Sequence, residues 1–200
     1  MILLALLAAQ AGPSAVEAER AFAADAARLG QWTAFRKWAA DDAVMFAPQP
    51  VNAQAFLKDR KDPPKSVDWW PTASFVSCDG SLAVNTGGWR QPDGSVGYFT
   101  TVWQRQADGG WKWIVDGGDG LSAPRERAGP AVRKASCEPV DLAAADLVDA
   151  TSKHAEGRSP DRSLAWSWTV DPRGARRFTA LIWTGTALEP VVTDEIAAPK

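Results

Sequence analysis

Asp116 closes the run Trp111-Lys112-Trp113-Ile114-Val115-Asp116, and Gly117-Gly118-Asp119-Gly120 follows it. A carboxyl group at the end of an apolar run can lose its water, hold its proton to higher pH and act as a general acid or base. The competing reading is structural: Asp116 accepts hydrogen bonds from the Gly117-Gly118 turn. The acids and glycines also suggest a calcium loop, but "DGGDGLSAPRE" lacks the third alternating acid that such a loop needs. Asp41 and Asp42 are adjacent, and neighbouring residues seldom face one site. They read as a solvated turn at a helix end. The single histidine, His154, stands in a polar stretch and reads as a surface residue. There is no Cys-x-x-Cys, no zinc-ligand spacing, no phosphate-binding glycine loop and no nucleophile elbow. The sequence therefore implies no metal and no cofactor. Cys78 and Cys137 are the two cysteines, and they are either a disulfide or two buried thiols.

Charge narrows the partners. Residues 1–121 carry 11 basic and 13 acidic residues, and the remainder carries 11 of each. Neither part has the positive excess that nucleic acid binding requires. Arg173, Arg176 and Arg177 form a local cluster that reads as a solvated hairpin surface. Residues Ile2 to Ala9 are unbroken apolar, and Ala9-Gln10-Ala11 resembles a cleavage site. Residues 1–11 are thus expected to be a signal peptide, with the protein periplasmic or secreted. The alternative is a buried turn of helix. No segment is apolar for long enough to give a stable membrane span.

The elements that must position these residues follow from pattern. Ser14 and Glu17 form a capping box, and Phe22, Ala26 and Leu29 give the helix that follows its apolar stripe as far as Gly30. Trp32, Phe35 and Ala39 mark a second helix ending at Asp41-Asp42. Asn52 caps a third, with Phe56 and Leu57 inward and Pro63-Pro64 beyond it. After residue 65 the period becomes two. Turns at Asp79-Gly80, Pro92-Asp93-Gly94 and Asp108-Gly109-Gly110 divide residues 66–118 into a four-stranded antiparallel meander. On its third strand Phe99, Thr101 and Trp103 share one face and Tyr98, Thr100 and Val102 the other. On its fourth, strict alternation sets Trp111, Trp113 and Val115 opposite Lys112, Ile114 and Asp116. Residues 122–158 are rich in breakers and read as a linker, with a short helix over 139–154. Residues 159–200 hold a Trp-rich hairpin, Leu164 to Val170 and Phe178 to Ile182, turned by Asp171-Pro172-Arg173-Gly174. "EPVVTDE" could add a short edge. The fold class is α+β, with helices on one face of the sheet.

This order of parts resembles the nuclear transport factor 2-like superfamily, which includes ketosteroid-isomerase-like and SnoaL-like proteins. The resemblance covers residues about 14–121, within a domain bounded at 12–121. It is carried by "AERAFAADAARLGQWTAFRKWAADDAVMFAP" and by "YFTTVWQRQADGGWKWIVDGG". It implies a cone-shaped curved sheet covered by the N-terminal helices, a pocket at the open end of the cone, and frequent homodimers. The family's isomerases carry a carboxylate base before the proline of the Asp-Asp-Ala segment, where this chain has Ala47. Their oxyanion tyrosine has no counterpart in the first two helices, because the one tyrosine is Tyr98. Ketosteroid isomerase activity is therefore not expected. In the closing strand Asp116 is kept, but the histidines of many SnoaL-like members are replaced by Val115 and Gly117. The resemblance implies a small apolar or amphipathic ligand. The chain has 11 Trp, and those not needed in the core would line the cone. The pool is Phe46, Trp69, Trp70, Trp89, Phe99, Trp103 and Trp113, and the ligand-binding candidates are Trp89, Tyr98 and Asp116. Two other readings remain open. One is an isomerase, hydratase or cyclase using Asp116 as acid–base. The other is a partner-binding module using the 163–183 hairpin.

Overall fold

The computed structural model describes residues 12–140 and 152–199. Helix α1 (Ala15–Leu29) starts at the Ser14 capping box, in which the Glu17 backbone N–H donates to Ser14 Oγ and the Ser14 N–H donates to Glu17. Its buried face carries Ala15, Ala18, Phe22 and Ala26, whereas Leu29 is exposed. Helix α2 (Gln31–Trp38) is shorter than the sequence implies. It stops at Trp38, and the chain continues at once as strand β1 (Ala39–Phe46), so exposed Asp41 and Asp42 lie on a strand and not at a helix end. Strand β2 (Pro50–Asn52) and helix α3 (Ala53–Leu57) follow, with Asn52 accepting the cap hydrogen bond from the Ala55 N–H.

The expected meander is present as β3 (Asp68–Val76), β4 (Leu82–Arg90), β5 (Val96–Arg105) and β6 (Trp111–Leu121). The sheet is larger than the hairpin turns disclose. Its order is β2-β1-β6-β5-β4-β3-β7, with β7 formed by Ala131–Lys134. Strand β1 pairs parallel with β6, and β7 pairs parallel with β3. Parallel neighbours are joined by long crossovers and leave no turn signature, which is why alternation and Asp-Gly pairs do not reveal them.

The segments after residue 121 also form more structure than expected. The linker supplies β7 and the whole of β8 (Lys153–Arg158). The helix expected over 139–154 lies mostly outside the described residues, and its last two positions, Lys153 and His154, begin β8. The hairpin is β9 (Leu164–Val170) and β10 (Arg176–Trp183). It is extended by β8 on one side and β11 (Leu188–Ile196) on the other into a four-stranded antiparallel sheet.

Three layers result. The helices pack on one face of the large sheet around Phe22, Trp69, Trp103 and Trp113. The second sheet packs on the opposite face, where Val84, Val102 and Val115 meet Leu164, Val170 and Ile182. Trp168 and Trp183 are buried and Trp166 packs against the same inter-sheet core. The apolar face of the hairpin is therefore occupied within the chain, which removes the surface that the partner-binding reading needs. Cys78 and Cys137 form a disulfide with Cα atoms 5.2 Å apart. It ties the end of β3 to the segment beyond β7. Beside it the Cys78 N–H donates to Ser163 Oγ at 2.8 Å, and the Asp79 N–H donates to Asp161 at 2.7 Å.

If the second sheet is part of one core, truncating Ile182 at that interface removes packed atoms that nothing else can replace. Ile182→Ala should cost roughly 2–5 kcal/mol in chemical unfolding. Val132→Ala, at an exposed edge position, should change stability by no more than about 0.5 kcal/mol. Equal, small effects for both variants would mean that the sheets do not share a core.

Candidate functional site

A cavity of about 460 Å³ lies between the helices and the helix-facing side of the large sheet. Its apolar walls include Phe22, Phe35, Trp69, Trp89 and Phe99. Gln31, Trp32, Val67 and Gln91 line both this cavity and an adjoining surface depression bordered by Pro63, Pro64 and Pro92, so the cavity opens there. Its inner polar groups are Glu19, Thr101, Asp116 and Arg176.

Asp116 reaches the cavity by a departure from strict alternation. In the β5–β6 ladder Trp103 pairs with Trp113 and Val102 pairs with Val115, so Ile114 has no partner. One extra residue in a strand moves every later side chain to the other face. Trp111 and Trp113 face the helices, Val115 faces the second sheet, and Asp116 returns to the helix side. Asp116 thus shares a face with the tryptophans, contrary to the expectation from alternation. It pairs in register with Thr101, whose hydroxyl donates to Asp116 Oδ1 at 2.8 Å. Burial pushes the Asp116 carboxyl up to about 6, against the opposing effects of the Thr101 hydrogen bond and the Arg176 charge. The purely structural reading, in which the following glycine turn satisfies Asp116, does not describe this geometry. The sheet continues through Gly117 and Gly118.

Trp89 lines the cavity. Its indole crosses Gly97, where a Cβ would come within 2.1 Å of the ring, and its Nε1–H donates to the Tyr98 carbonyl at 2.9 Å. Tyr98 does not line it. Its side chain lies on the other face of β5, buried beneath the Arg125 guanidinium at 4.9 Å. Burial, with Asp194 and Asp119 nearby, pushes its phenol up to about 12. Of the aromatic pool, Phe46, Trp69, Trp89 and Phe99 line the cavity. Trp103 and Trp113 are fully buried in the core, and Trp70 donates to the Glu126 carbonyl outside the cavity.

Two residues of the site escape the pattern reading. Glu19 is fully buried on α1. Trp69 Nε1–H donates to it at 2.9 Å, Trp103 Nε1–H at 2.7 Å and Asn85 Nδ2–H at 3.2 Å. Burial pushes its carboxyl up to about 7, against these hydrogen bonds and with a further push from Asp116. The clue in the sequence is position: Glu19 falls on the helical stripe of Ala15, Phe22 and Ala26. Arg176 is the second. It shares strand parity with Phe178, Ala180 and Ile182, all buried, and so turns inward while Arg173 and Arg177 stay exposed. It donates to the Gly118 carbonyl at 2.5 Å and stacks over Phe46 at 4.6 Å. Gly118 has no room for a side chain, since a Cβ would lie 2.1 Å from the Tyr98 oxygen. The arrangement brings together two carboxyl groups that exchange protons near neutral pH and one guanidinium, inside apolar walls. Such a site can orient a polar group and give or accept a proton.

No family model matches this chain, and no curated protein sequence matches it. Among solved structures it is similar to a "putative ketosteroid isomerase" from Parabacteroides distasonis ATCC 8503. That match has 16% identity and a TM-score of 0.45, over 57% of this chain and 93% of the other. It is also similar to a "putative aromatic ring hydroxylase" from Novosphingobium aromaticivorans. There the identity is 16% and the TM-score 0.38, over 55% of this chain and 87% of the other.

The buried carboxyl of α1 has a consequence for stability. A carboxyl group with a higher pKa in the folded chain holds its proton more tightly there than in the unfolded chain. Its favourable contribution is complete below the unfolded value of 4.5 and is lost as pH rises to about 7. Asp116 acts in the same direction but only up to about 6. Wild-type stability should therefore keep falling between pH 6 and 7, and Glu19→Gln should flatten that part of the curve. Denaturant unfolding at closely spaced pH values measures both slopes, and identical slopes would assign Glu19 no role in the pH dependence.

Proposed function

We propose that residues 12–121 form a nuclear transport factor 2-like domain that binds a small apolar or amphipathic molecule in the cone. One observation carries this reading. The cavity is neither filled by tryptophan side chains nor uniformly apolar, because its inner polar groups converge on one region of an aromatic-walled space of about 460 Å³. That volume suits a ligand of two or three fused rings or a comparable chain. The neutral probe 2-naphthol should quench tryptophan fluorescence saturably, since Trp69 and Trp89 line the cavity. Met45→Trp, which adds bulk to the wall, should weaken that binding at least tenfold while the protein still melts cooperatively. Linear, unsaturable quenching would count against a ligand cavity.

A second reading is favoured by the setting of Asp116. It is an enzyme of isomerase, hydratase or cyclase type in which Asp116 moves a proton. A carboxyl that gives up its proton at about pH 6 is matched to base chemistry at neutral pH. The rate should rise with pH through about 6, and Asp116→Asn should lower it by at least a hundredfold without unfolding the chain. Full activity in that variant would leave binding alone as the function. Ala47, where isomerases of the family have their base, keeps the mechanism distinct from theirs.

We also infer export to the periplasm or the outside of the cell. The Cys78–Cys137 disulfide supports it, since such bonds persist in oxidising compartments. Residues 1–11 supply the signal-like run. Expression of the full chain in bacteria, with fractionation and N-terminal sequencing, should yield a periplasmic protein beginning at Gly12. An uncleaved cytoplasmic product would overturn this.

A further inference from the structure

We propose that the ligand is an amphipathic carboxylate and that Arg176 holds its carboxyl group. The proposal rests on the reading that the cavity binds a small molecule, and it makes the second sheet part of the binding site.

Among the described residues that line the cavity, Arg176 is the one that carries a positive charge. Its neighbours on the same hairpin are both paired: Arg173 lies near Asp171 and Arg177 near Glu195. Arg176 makes no ion pair within 4 Å among the described residues. Its hydrogen bond is to the Gly118 carbonyl, from one Nη. Among the described residues nothing accepts from the other Nη or from Nε. Asp116, Asp119 and Asp194 act on its charge from further away, as does Tyr98. A guanidinium taken partly out of water with donors unspent is a preorganised receptor for an anion.

The chemistry of that anion follows from the surroundings. The guanidinium plane is held over the Phe46 ring at 4.6 Å, and a planar fork fits a carboxylate through two parallel hydrogen bonds. The site offers one positive charge with Asp116, Asp119 and Asp194 nearby, so a second negative charge on the ligand, as on a dianionic phosphate, is disfavoured. The Phe22, Phe35, Trp69 and Phe99 walls take an apolar body. A carboxyl group attached to an aromatic or alicyclic frame satisfies both ends.

Fluorescence titration at pH 7.5 compares 2-naphthoate with its neutral counterpart 2-naphthol, in the wild-type protein and in Arg176→Met. Wild type should bind naphthoate at least tenfold more tightly than naphthol. Arg176→Met should erase that preference, so that the two probes bind it equally to within about twofold. Arg176→Gln, which keeps a polar donor, serves if the Met variant does not melt cooperatively, and it should lose the preference as well. Naphthol binding as tight as naphthoate in wild type would overturn the proposal, as would a preference that survives in the variants. Failure of both probes to bind wild type would instead overturn the cavity reading, and the proposal with it.

Discussion

One buried carboxyl group joins the helical layer to the sheet. Glu19, on α1, accepts hydrogen bonds from side chains on three consecutive strands: Trp69 on β3, Asn85 on β4 and Trp103 on β5. Asn85 also donates to the Ala15 carbonyl of the same helix at 2.9 Å. Truncating Glu19 would leave buried donors unpaired, and each such loss costs about 1–3 kcal/mol. These bonds fix the rotation of α1 and therefore the position of Phe22, three residues on. Phe22 meets Phe35 and Trp69 edge-to-face, each at 4.8 Å. The helical side of the cavity is thus set by the polar contact and finished by aromatic packing. A purely apolar α1 would cover the same area without choosing one rotation.

The two faces of the large sheet do different work, and they communicate at one rim. On one side lie the helices and the cavity, on the other the inter-sheet core. Phe46 belongs to both. It lines the cavity, and it packs edge-to-face on Trp168 of the second sheet at 5.4 Å. Beside it Gly117 and Gly118 carry no side chains, so the rim is thin enough for Arg176 to reach over it from β10. The C-terminal sheet is therefore more than a cover for the back of the meander.

Much of the fold was legible because local chemistry and global structure agree. The Ser14 capping box, the Asn52 cap and the Asp-Gly turns each act over a few residues, and each is present. Parallel pairing of β1 with β6 was not legible, since it depends on contacts 71 to 74 residues apart. The site was legible only in part. Trp89 and Asp116 both line the cavity, but Asp116 does so from the face opposite to the one that alternation gives it, because an unpaired residue at Ile114 leaves no mark in an alternating pattern. Tyr98 shares its parity with Val102, and that parity decides its face against the pocket chemistry its hydroxyl suggests. Glu19 and Arg176 carry charges, and a charge by itself points to solvent. Each lies on the buried period of its own element, and that period was the stronger indication.

The charges in the cavity can be ordered from their settings. Asp116 has Arg176 to favour its anion and gives up its proton at about 6. Glu19 is fully buried, has no cation beside it among the described residues, and holds on to about 7. Burial raises both carboxyls above the ordinary carboxylate range, so the cavity holds two groups that can exchange protons near neutral pH. The two groups influence each other, so the protons belong to the pair as much as to either residue. A carboxylate held by Arg176 would take from Asp116 the charge that favours its ionisation and would add a negative charge nearby. Asp116 would then hold its proton to higher pH, and ligand entry would carry proton uptake with it. The cation brought by the second sheet would in this way couple occupancy of the cavity to its protonation state.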